Sequence, residues 1–259
     1  MDLIENKARG SESAVRHPWE RARLTLVHEL IRRRVALQPG DVVLDVGCGD
    51  TFVSEELARR YPSVQFYAVD NAFTDDLIEE LADRLTVPNV SLFRSLDVVP
   101  ANEQAALVLL MDVIEHVPDD VAFLEDICRR PLTGDGTWFL MTVPSFQSLF
   151  SSHDRFLGHY RRYTVRSFRQ MFRKTRLQSA EEGYFFATLL PLRLLQLLKE
   201  RVVGSPDTFA GLAGWHGSES TSQLVASWLT LDGRISISLA RAGVRIPGLS
   251  NFALCRKSA

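Results

Sequence analysis

Three of the chain's six histidines stand in polar company: His116 follows Glu115, His153 precedes Asp154, and His159 opens the run Tyr160-Arg161-Arg162. An imidazole changes charge near neutral pH, so each of the three is a candidate general base. Each also has a structural reading. His116 can brace a loop, His153 and Asp154 are sequence neighbours that rarely face each other, and His159 with Tyr160 can anchor a turn. Guanidinium groups match phosphate or carboxylate, so Arg161 and Arg162, with Tyr160, are candidates for an anionic substrate, against the alternative of a solvated face. A metal set from Asp112, Glu115 and His116 with His153 has no diagnostic spacing, and metal independence is expected.

These groups need a partner molecule, and the stretch Val42-Val43-Leu44-Asp45-Val46-Gly47-Cys48-Gly49-Asp50 supplies a place for one. An apolar strand ends in an acid and a glycine turn, and Phe52 to Tyr61 reads as the following helix. Glycine lets backbone approach a ligand closely. A dinucleotide fingerprint needs a third glycine where Phe52 stands, and Asp45 would set a carboxylate against two phosphates. A ligand with a cationic amino-acid end suits Asp45 better, and S-adenosylmethionine has that end and a sulfonium. A second strand, Val64 to Asp70, ends in a carboxylate about 20 residues on, suited to ribose hydroxyls, with Asn71 beside it.

Leu44-Asp45-Val46-Gly47-Cys48-Gly49, Asp70 and Asp112-Val113-Ile114-Glu115-His116-Val117-Pro118 together resemble the class I S-adenosylmethionine-dependent methyltransferases. The last segment is similar to that of the ubiquinone-biosynthesis O-methyltransferases. His153-Asp154 through Gly158-His159 to Arg161-Arg162-Tyr163 resembles a segment of bacterial methyltransferases, many linked to surface-polysaccharide or lipid-linked-sugar pathways. The resemblance covers roughly residues 40–185 and returns at the last strand. It implies a cofactor site of Asp45, Gly47, Cys48, Gly49, Asp70, Asn71, Leu96, Asp97, Met111, Asp112 and Val113. Within it, Leu96 would lie against the adenine and Asp97 would accept from its exocyclic amine, unless Asp97 only caps a loop. The family usually has a further glycine where this chain has Thr51.

The expected fold is therefore a doubly wound, Rossmann-like α/β sheet of seven strands with an antiparallel last strand. Apolar residues at Leu24, Val27, Leu30 and Ile31 predict a helix opened by His17-Pro18-Trp19. Ala105–Met111 and Thr137–Val143 read as the fourth and fifth strands, the second ended by Pro144. Thr164 caps a helix with Phe168, Met171 and Phe172 inward and arginines outward. Gln178–Phe186 and Asn251–Arg256 read as the last two strands. The expected division is an N-terminal helical segment (1–37), a cofactor-binding core (38–186), a helical cap inserted between strands six and seven (187–245), and the final core strand (246–259).

A formal net charge of −2 argues against a general nucleic-acid binder. Three scattered cysteines make no disulfide framework or zinc cluster. The first ten residues are polar without an apolar signal core, so a cytoplasmic protein is expected. The apolar stretch 187–203 carries Pro191, Arg193 and Lys199, which speak against a span. It suits burial as a cap first, then pairing with a second subunit or peripheral contact with a membrane. The leading expectation is methyl transfer to a small-molecule oxygen, on a sugar, a lipid-linked intermediate or a natural product. The alternatives are a non-catalytic S-adenosylmethionine-binding partner or scaffold protein and a nicotinamide oxidoreductase.

Overall fold

Continuous apolar runs become central strands in the computed structural model, which describes residues 16–100, 104–204, 215 and 217–258. The expected polar N-terminal stretch 1–15 and most of the 205–222 loop lie outside the described residues. Seven strands form one sheet in the order β3-β2-β1-β4-β5-β7-β6. They are β1 (Val42–Val46), β2 (Gln65–Val69), β3 (Val90–Phe93), β4 (Ala105–Met111), β5 (Trp138–Pro144), β6 (Leu177–Phe185) and β7 (Ser250–Lys257). β1 pairs parallel with β2 and β4, while β7 runs antiparallel to both β5 and β6.

Alternate strand residues point to opposite faces, and each face is covered by helices. On one face Val43, Phe66, Leu107, Leu140 and Phe252 join one apolar cluster. It is covered by α1 (Pro18–Arg34), α2 (Phe52–Arg60) and α3 (Asp75–Arg84). On the other, Leu44, Val108, Phe139 and Ala253 pack beneath α4 (Asp120–Arg129) and, past the short α5 (Ser152–Phe156), α6 (Val165–Phe172). This arrangement brings the ends of β1, β2, β4 and β5 to one edge, where open sheets hold ligands.

The 187–245 insertion forms α7 (Leu190–Val203) and α8 (Glu219–Arg241), and the two do different things. The expectation of a single cap is corrected by α8, which is a layer of the core: Leu229 and Ile237 are buried in the cluster that holds α1. Gly233, read from sequence as an interruption, lies inside the continuous helix. A Cβ there would lie 2.2 Å from Leu26 Cδ1, so glycine is what lets α8 approach α1. Only α7 reaches the polar loop after β5, where Arg193 donates to Ser151 Oγ at 2.5 Å and Glu200 accepts from the Ser152 amide at 3.0 Å. No helix among the described residues is long and apolar enough to cross a membrane. Gly233→Ala should gain helix propensity yet lose about 1–3 kcal/mol of stability from overpacking, read as a lower urea midpoint. An unchanged or raised midpoint would mean that Leu26 yields freely.

Candidate active site

Gly47 and Gly49 both take positive φ, +69° and +58°, at the turn leaving β1. A Cβ on Gly47 would sit 2.7 Å from Val113 Cγ2, so the bend also admits the segment after β4. Thr51 adopts the left-handed φ of 64° that its family glycine would take without strain. Asp70 holds this bend from the neighbouring strand end. Its Oδ2 accepts from the Gly49 amide and its Oδ1 from the Ala72 amide, both at 2.9 Å. Asn71 lies in the same turn, exposed.

Asp45 is 1 % exposed, and its Oδ2 accepts from the Ser54 hydroxyl of α2 at 2.6 Å. Burial pushes its carboxyl up to about 6, although the Ser54 hydrogen bond pulls the other way. It ties β1 to α2 beneath the bend and leaves its other oxygen for a ligand. The Asp97 side chain is 76 % exposed and pairs with Arg130 at 2.6 Å. Leu96 packs against the second apolar cluster.

Met111 ends β4, and Asp112 follows with a φ of +58°. The Asp112 carboxylate pairs with Arg23 of α1 and accepts from Thr142 Oγ1 at 3.2 Å. Sequence reasoning missed Arg23. Its signal was a charge on the apolar stripe of α1, where Glu20 and Arg23 are buried with Leu24 and Val27. His17 caps that helix, its Nδ1 accepting from the Trp19 amide at 3.2 Å.

The short turn Ile114–His116 then places the His116 ring edge-on to His159, with centroids 4.5 Å apart. His159 Nδ1 lies 3.0 Å from Asp154 Oδ1. Asp154 is 0 % exposed and also receives Arg162 Nε at 2.7 Å, Arg162 Nη2 at 3.0 Å and the Ser151 amide at 2.9 Å. Burial opposes its charge, but the His159 and Arg162 hydrogen bonds outweigh it and hold Asp154 well below the usual carboxylate range. The acid beside His153 thus serves His159. His153 keeps a buried Nδ1 without a hydrogen-bond partner, and burial, then Arg193, lowers its pKa. Arg162 is spent on Asp154 instead of being offered to an anion. Arg161 donates to Pro118 O and pairs with Asp120, while Tyr160 is exposed.

Glu115 is fully buried, and neither carboxylate oxygen has a hydrogen-bond partner. Burial pushes its carboxyl up to about 8, so it is protonated at neutral pH. Glu115, His116 and His159 each offer one ligand atom within 4.8 Å of the others, a different set from the one weighed in the sequence. His153 is not in that set.

Residues 19–181, more than half of the chain, match the model of a family described as a methyltransferase domain. The chain belongs to this family. The methyltransferase is 32 % identical over 128 residues to a ubiquinone biosynthesis O-methyltransferase of Xanthomonas campestris pv. campestris, covering 48 % of this chain and 51 % of that protein. It therefore spans about half the length of the curated relatives it first matches. Among solved structures it resembles coclaurine N-methyltransferase bound to N-methylheliamine and S-adenosylhomocysteine (TM-score 0.55, 17 % identity, 90 % of this chain and 70 % of that one). It also resembles the plantazolicin methyltransferase BpumL in complex with S-adenosylhomocysteine (TM-score 0.55, 14 % identity, 99 % and 89 %). The chain therefore carries a methyltransferase domain in the seven-stranded, Rossmann-like fold that these solved structures share.

Asp70→Ala removes the carboxylate that fixes the Gly49 amide and faces the expected ribose. It should weaken S-adenosylhomocysteine binding by about 1–3 kcal/mol in calorimetry, and unchanged affinity would take Asp70 out of the site. Glu115 gives a pH signature. The unfolded carboxyl loses its proton near about 4.3, whereas the folded one keeps it to about 8. The folded state holds the extra proton between these values, so stability falls as pH rises through that window. Glu115→Gln should flatten the fall in melting temperature between about pH 4.5 and about pH 8. An equally steep fall in the variant would place the pH dependence elsewhere.

Proposed function

We propose that the enzyme methylates an oxygen of a small-molecule acceptor, with His159 as the general base. The observation that carries this reading is the 3.0 Å pairing of His159 Nδ1 with the buried Asp154. With Nδ1–H donating to the carboxylate, Nε2 carries the lone pair. Bound S-adenosylmethionine supplies an electrophilic methyl group on a sulfonium. Asp45, Gly47, Gly49, Asp70 and Asp112, with Cys48, Asn71, Met111 and Val113, are the residues that would hold it. His159 Nε2 would take the acceptor's hydroxyl proton and so leave its oxygen able to receive that methyl group. Asp154 stabilises the imidazolium, and the edge of His116 fixes the ring plane. A neutral amine needs no such proton transfer before attack, so an oriented base favours oxygen over nitrogen. The O-methyltransferase named among the relatives agrees with that choice, and the coclaurine N-methyltransferase is its counterweight.

A second reading is supported by the closeness of Glu115, His116 and His159, which suits a divalent cation. The protonated Glu115 and the Asp154-bound His159 favour proton transfer without metal. On a panel of phenols, sugars and amines, His159→Gln should lower turnover of hydroxyl acceptors about 100-fold or more while S-adenosylhomocysteine affinity stays unchanged. Chelation by EDTA should leave turnover intact. Methylation of amines alone, or a loss on chelation reversed by a divalent cation, would overturn the base assignment.

A further inference from the structure

A concavity outside the described site belongs to no step of methyl transfer. It is a cavity of about 620 Å³ between α6, β6 and the segment before β7, lined by Arg166, Arg169, Arg173, Tyr184, Arg245 and Pro247 among others. The chain builds it from an ordinary amphipathic helix. Phe168, Met171 and Phe172 anchor α6 in the core, so positions 166, 169 and 173, spaced three and four apart, share the opposite face. Arg245 meets them from the other wall. Four guanidiniums therefore surround one space.

Their compensation is small. Glu182 is buried in β6. It pairs with Arg169 and, at 3.3 Å, with Arg245. Its neighbour Glu181 is taken by Arg34 at 3.0 Å and Arg241 at 2.7 Å. No carboxylate among the described residues pairs with Arg166 or Arg173. Like charges gathered around a concave surface repel one another and raise the local concentration of anions. Guanidinium is the side chain that best matches phosphate oxygens, in a fork of parallel hydrogen bonds. The volume is that of a small-molecule site, larger than a single phosphate needs.

The remaining wall is aromatic. Tyr184 stacks on Phe146 with centroids 5.2 Å apart, and Phe146 follows β5 in the segment leading to the His159 loop. In the sheet, β4, β5 and β7 separate β6 from β1, so this cavity lies away from the glycine bend. We propose that the Arg166, Arg169, Arg173 and Arg245 cavity binds the diphosphate group of a phosphorylated small molecule, with the organic part against Tyr184 and Pro247. The group belongs either to a soluble nucleotide-linked compound or to a lipid diphosphate. The assignment does not depend on His159 acting as a base.

Calorimetry on the full chain at constant ionic strength tests this with sodium pyrophosphate, UDP-glucose and farnesyl diphosphate. Single-site, saturable binding of pyrophosphate is expected. The double variant Arg166→Gln, Arg173→Gln should weaken it by about tenfold or more, with S-adenosylhomocysteine affinity unchanged. Binding of UDP-glucose tighter than pyrophosphate identifies the soluble source, and tighter binding of farnesyl diphosphate identifies the lipid source. Should the double variant also lose S-adenosylhomocysteine, Arg245→Gln repeats the comparison from the opposite wall. Absence of saturable binding to all three probes, equal affinity in wild type and variant, or salt-sensitive binding of a single-stranded oligonucleotide without binding of pyrophosphate overturns the proposal.

Discussion

A single carboxylate without solvent contact organises the loop between β5 and α6. Asp154 sits at 0 % exposure and is kept ionised by Arg162, His159 and the Ser151 amide. Such a charge is tolerable only with its partners in place, since removing one partner from a buried pair costs about 3–5 kcal/mol. The partners come from three stretches of chain. Ser151 opens α5, His159 and Arg162 lie beyond it, and Arg193 of α7 approaches the same carboxylate at 3.7 Å. Arg162 also donates to Ser145 O at the end of β5. The loop is therefore a tied structure. Burial, with Asp154 adding its charge, keeps nearby Glu115 protonated, so one negative group stands where the sequence offers two.

The cofactor side is built on another principle, close approach of backbone. Gly47 makes room for Val113, and Asp70 clasps the Gly49 amide. Two non-glycine residues, Thr51 and Asp112, hold left-handed backbone at the ends of the same elements. Such conformations persist where the surroundings over-determine them. At Asp112 the surroundings are Arg23 and Thr142, which come from α1 and β5. The glycine bend, the strand ends and the first helix thus form one unit, and the first helix is part of the site as well as a cover for the sheet.

The fold was legible because its signals are local. The apolar runs of β1, β4 and β5, the Gly47–Gly49 turn and the antiparallel return at β7 follow from strand composition and turn chemistry. The roles of individual acids were less legible because orientation is a tertiary property. Asp45 and Asp97 have the right types at the right places, yet one bonds Ser54 and the other Arg130. The short α5 carries Asp154 to His159, a pairing that the order of residues along the chain does not display. Gly233 has no local reason for its place in α8, because the demand for it comes from Leu26, about two hundred residues earlier in the chain.

The position of β7 has a consequence for how the molecule comes together. It is the last strand in chain order, yet it lies inside the sheet, hydrogen-bonded to β5 on one side and β6 on the other. During synthesis the first five strands can associate in turn, but β6 emerges with no neighbour to pair with. Its edge stays unpaired until residues 250–257 leave the ribosome. The wedge strand is then the closing step of assembly, and any ribosomal stall before it strands a half-zipped sheet with an open edge, the kind of intermediate that chaperones intercept.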